Sequence, residues 1–94
     1  MNLSSRDCDR MWEKLRFEID REKPDITANL IIDGKVVIHT RRSHGGGPIP
    51  GRIPHFIRQQ MKLNENQFRD AVNCPLTATG YIEILRAKGI LPPG

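Results

Sequence analysis

The sequence predicts an α+β fold: an N-terminal helix, a three-stranded antiparallel sheet and a helical C-terminal third. Three observations predict it. Apolar residues recur at helical spacing near the N-terminus, they switch to alternation around an Asp33-Gly34 turn, and helical spacing returns after residue 53. A chain of 94 residues fits a single domain over 1–94, with 1–4 and 92–94 expected as flexible ends.

Ser4 or Ser5 caps the first helix, and Asp7 complements the open N–H groups of its first turn. Cys8, Met11, Trp12 and Leu15 then form one apolar stripe, so the helix runs from about residue 5 to 15. Phe17 and Ile19 alternate with charged neighbours and read as a short strand. Residues 20–25 make a charged turn. Strands follow over 27–32 and 35–40, joined by Asp33-Gly34, a pair that tolerates the positive φ of a tight hairpin. The stretch 41–52, RRSHGGGPIPGR, holds four glycines and two prolines, and so reads as a loop. Ile53, Phe56, Ile57 and Met61 give a helical stripe, with Pro54 tolerated in its first turn. Asn64 and Gln67 resemble a capping box for a further helix, which Pro75 stops. Thr77 or Thr79 caps a last helix bearing Tyr81, Ile82, Ile84 and Leu85, and Gly89 suits its left-handed C-terminal cap.

Leu, Ile, Val and Phe make up 24 of 94 residues, which excludes the composition of a disordered chain. The longest apolar run is three residues, so no membrane span is expected. The N-terminus has no apolar stretch of signal-peptide type, and a cytoplasmic location is the expectation. Cys8 and Cys74 have no nearby Cys or His at metal spacing. They read first as small buried residues, with a disulfide or a nucleophilic Cys as the alternatives.

Charge is distributed unevenly. The net charge is +4, yet residues 1–34 sum to −2 and residues 63–94 to zero. Residues 35–62 carry Lys35, Arg41, Arg42, Arg52, Arg58 and Lys62 with no Asp or Glu, and they hold all three histidines. A polyanion is the natural partner of such a window, and a solvated face with chance clustering is the alternative. Within it, Ser43-His44-Gly45-Gly46-Gly47 lies at a strand end behind two arginines. Glycines let a backbone approach a phosphate, arginines hold its oxygens in pairs, and imidazole moves protons near neutral pH. His55 is the second candidate, in the first turn of a helix flanked by Arg52 and Arg58, where anions are favoured. A partly buried helix-start histidine is its alternative. His39 reads as core or sheet surface. A zinc site from the three histidines lacks carboxylate or thiolate support. Residues 53–73 also admit a helix-turn-helix reading, but Glu65 and Asp70 leave the second helix nearly neutral, so a helical hairpin packed on the sheet fits better.

Gly34-Lys35, then Thr40-Arg41-Arg42-Ser43-His44-Gly45, then Arg58-Gln59-Gln60-Met61-Lys62-Leu63 together resemble small HicA-type toxins. Cys74-Pro75-Leu76 followed by Tyr81-Ile82-Glu83-Ile84-Leu85 is similar to the same bacterial group. The resemblance covers roughly residues 5–63 in element order. It implies an α-β-β-β-α fold like a double-stranded-RNA-binding domain, RNA as partner, a HicB-like antitoxin as second partner, and metal-independent endoribonuclease (mRNA interferase) activity without a cofactor. In HicA chains a Gly-Ser-His motif precedes the middle strand, whereas Ser43-His44 follows the last one, Arg42 stands where glycine is usual, and the helices beyond residue 64 are extra. On this reading His44 and His55 are the catalytic pair. Lys35, Arg41, Arg42, Ser43, Gly45, Gly46, Arg52, Arg58 and Lys62 hold the nucleic acid. The alternative is a non-enzymatic nucleic-acid- or protein-binding module.

Overall fold

A computed structural model describes residues 3–73 and 75–92, so Cys74 and positions 1, 2, 93 and 94 of the expected flexible ends lie outside the described residues. The order is α1 (Ser5–Lys14), β1 (Glu18–Asp20), β2 (Asp25–Ile32), β3 (Lys35–Ser43), α2 (Ile53–Gln60), α3 (Glu65–Asn73) and α4 (Ala78–Ala87). The three strands form one antiparallel sheet in sequence order, and the fold is α+β as expected.

Local chemistry places most boundaries. Ser4 caps α1, its Oγ accepting from Asp7 N at 3.0 Å. Asn64 and Gln67 exchange the two bonds of a capping box, 3.0 and 2.8 Å long. Thr77 Oγ1 accepts from Gly80 N at 3.0 Å and opens α4. Gly89 closes it at φ +76, with Ile90 N donating to Leu85 O at 2.9 Å. Asp33 and Gly34 both take positive φ, 53 and 77, which is the geometry of a two-residue hairpin.

Two expectations change. β2 and β3 are longer than their apolar runs: Asp25 pairs with Ser43, Ile26 with Arg42 and Thr27 with Arg41, so the strand runs three residues into the segment read as loop. A bulge between Leu30 and Ile31 leaves Val37 unpaired and turns Val36 outward, 56% exposed. Leu3 and Ser4, expected in a flexible end, are fixed. Leu3 is buried and its carbonyl accepts from Ile49 N at 2.8 Å, while Ser4 bridges Pro48.

The inward sheet residues Ile26, Ala28, Leu30 and Ile38 meet the Cys8, Met11, Trp12 and Leu15 stripe of α1, and Ile57 and Met61 of α2 close the same core. α3 adds Phe68 and Ala71. It is tied to α1 where Lys14 Nζ donates to Ala71 O at 2.6 Å. α4 docks through Tyr81, whose ring stacks on Phe17 at 5.9 Å and whose hydroxyl donates to Met61 O at 2.8 Å. Thr40 Oγ1 donates to Gln60 Oε1 at 2.8 Å and fixes α2 on β3. The helices thus cover one sheet face, and His39 and Arg41 of β3 stand on the other. Among the described residues no helix is long and apolar enough to cross a membrane, and no cluster of His, Cys, Asp and Glu could hold a metal ion.

Candidate nucleic-acid interface

The acid-free window of the sequence is not acid-free in space. Arg42 points inward from β3 and is only 4% exposed. Its Nη2 donates to Asp9 Oδ1 of α1 at 2.8 Å, and its Nη1 donates to the carbonyls of Ser43 and Gly45 at 3.1 and 3.4 Å. A charged residue can occupy an inward strand position only when it is paired like this. The expected phosphate contact is therefore corrected: Arg42 is an internal clamp between β3, the glycine loop and α1. Arg41 is 63% exposed on the opposite face, with Asp25 Oδ2 at 3.7 Å.

The glycine loop is tethered rather than open. Ser5 N donates to Gly47 O at 2.8 Å and Ser5 Oγ to Gly45 O at 3.0 Å. His44 Nε2 donates to Lys23 O at 2.8 Å, which fastens the loop to the β1–β2 turn. Ser43, His44, Gly45 and Gly46 line a small depression of about 160 Å³ together with Arg42. Lys35 lies at the other end of β3, eight residues and roughly 26 Å away at about 3.3 Å per residue.

A larger groove, about 800 Å³, opens where the loop before α2 meets α3 and the start of α1. Its rim carries Arg52, His55, Arg58 and Arg69, and Pro54, Phe68 and Val72 supply an apolar floor. Two carboxylates also line it. Asp7 is already paired with Arg10, and Glu65 sits in the first turn of α3. Among the described residues none of the three arginines has a carboxylate oxygen within 4 Å. Arg58 closes α2, its Nη1 donating to Leu63 O at 2.9 Å while its Nη2 donates to His55 Nδ1 at 2.9 Å. A guanidinium only donates, so Nδ1 is an acceptor and the ring proton sits on Nε2. Lys62 lies beyond α2 with its backbone at φ +62, and its carbonyl accepts from Lys88 Nζ.

The structure therefore brings together Arg52, His55 and Arg58, and adds Arg69, which charge counting over α3 had passed over. His44 and His55 line different depressions, so the expected catalytic pair does not share a site. Phe56, expected on the apolar stripe of α2, is 49% exposed, while Ile57 and Met61 are fully buried. Burial pushes the Cys8 thiol up to about 12, with the Arg42 guanidinium opposing the shift, so its surroundings disfavour the thiolate. No protein-family model matches the chain, and no curated protein or solved structure matches it.

Proposed function

We propose that this protein is an RNA-binding module whose α2–α3 groove holds a phosphate backbone through Arg52, Arg58 and Arg69. The observation that carries it is the convergence on one groove with an apolar floor of three guanidiniums that have no paired carboxylate among the described residues. Guanidinium forks hold phosphate oxygens bidentately, and apolar floor is where sugar and base edges rest. The resemblance of residues 5–63 to HicA-type toxins selects RNA over other polyanions, and with it a HicB-like antitoxin as the neutralising protein. Binding without cleavage is the better reading. A histidine accepting from Arg58 carries no free basic nitrogen at Nδ1, and His44 stands outside the groove.

The experiment is RNA titration followed by fluorescence anisotropy, beside incubation of the same RNA with and without EDTA. Replacing Arg52 and Arg69 together by Gln removes two charge-assisted contacts and weakens binding by about tenfold or more. Arg41→Gln changes it far less. Loss of nothing in the double variant defeats the proposal. Cleavage that survives EDTA and disappears in His55→Ala establishes the endoribonuclease reading instead.

A further inference from the structure

One large apolar side chain near the groove has no partner in the core. Phe56 leaves half its surface open on the first turn and a half of α2. Arg52 is the N-cap of α2 and its carbonyl accepts from Phe56 N at 3.1 Å, so its backbone stands one turn before Phe56. Gln59, exposed, follows three residues later on the same side. His55 leans on the ring from the groove side, with centroids 6.2 Å apart and planes tilted by 55°. Beside it the phenyl stays 49% exposed.

A cation at the cap of α2, with an exposed aromatic ring and an exposed amide along the helix, makes a complete set for a single nucleotide. A guanidinium takes the phosphate, a ring stacks the base, and an amide reaches a base edge. A paired base cannot use the ring, because both its faces are occupied within the duplex. Resting on the function proposed above, we infer that Phe56, beside the groove rather than in its lining, is a stacking platform for an unpaired base, with the adjoining phosphate at Arg52, so that this side of α2 selects single-stranded over double-stranded RNA.

The test uses the full chain and a fluorescein-labelled RNA single strand of about 12 nucleotides, compared with its blunt duplex. The parent binds the single strand more tightly than the duplex. Phe56→Ala weakens the single strand by roughly 5- to 150-fold, the span that stacking of one base covers, and leaves duplex binding unchanged. Phe56→Trp retains the affinity, whereas Phe56→Leu, apolar without a ring, does not. The Trp and Leu variants carry the test even if the alanine variant misfolds. Equal effects on single strand and duplex, or rescue by leucine, overturn the stacking role while leaving RNA binding intact. A parent that binds neither RNA overturns both.

Discussion

Arg42 and Arg41 are adjacent in sequence and opposite in role, because a strand sends successive side chains to opposite faces. Arg42→Ala leaves Asp9 only its exposed partner Arg21, at 3.2 Å, and takes a donor from the Ser43 and Gly45 carbonyls. Asp9 keeps 22% of its surface and the Arg21 pair, which softens the loss, so about 1–3 kcal/mol is expected. Arg41→Ala, at an exposed pair 3.7 Å apart, costs under about 1 kcal/mol. Urea unfolding of the two variants decides, and equal midpoints would remove the clamp. Alternation from Ile38 through Thr40 already pointed Arg42 inward. What hid it was the glycine run that follows, which made residues 41–43 look like loop, and the partner Asp9, which lies 33 positions away. A second residue-scale effect concerns alkali. Burial raises the Cys8 thiol, and it also raises the Tyr81 phenol. Both native groups bind their protons more tightly than the unfolded chain does, so their contribution is full below about pH 9 and is lost as pH rises toward 12. The urea midpoint falls between those limits, and Cys8→Ala makes the fall shallower.

At the scale of elements, capping and turn chemistry were legible because they are local. Ser4, Asn64 with Gln67, Thr77 and Gly89 act within a few residues of themselves, so sequence spacing suffices. The bulge at Leu30/Ile31 and the exposure of Phe56 were not legible, since both depend on which face a neighbouring element covers. The hairpin turn offers the sharpest test. Gly34 sits at φ +77 with nothing near the position of an added Cβ, so Gly34→Ala meets no clash and costs only backbone strain. That cost is about 1–2 kcal/mol. Asp33 at φ 53 belongs to a residue type that visits this region readily, so Asp33→Asn is near neutral and Asp33→Val is not. A hairpin indifferent to Gly34→Ala would mean that the β2–β3 ladder, not the turn, fixes the register.

For the whole molecule, charge clustered in sequence is not charge clustered in space. Six cations fall within residues 35–62, a count from which three to five phosphate contacts would be expected. The fold separates them: Lys35 at the hairpin end, Arg41 beside Asp25, Arg42 inside, and Lys62 past the end of α2. Arg52 and Arg58 remain, and Arg69 joins them from α3. Arg58 already spends one nitrogen on Leu63 O and another on His55, so it contributes at most one contact. Two to three phosphates at about −0.7 each give a log–log salt slope of roughly −1.5 to −2 on a single strand. Arg69→Gln shallows the slope by about 0.7 and weakens binding alike across sequences. Lys35→Gln leaves it unchanged. A slope near −3.5 would mean that cations beyond the groove, Lys35 and Lys62 among them, reach the RNA together. About five contacts need the groove arginines as well, so the binding face would then extend beyond the α2–α3 groove to those cations.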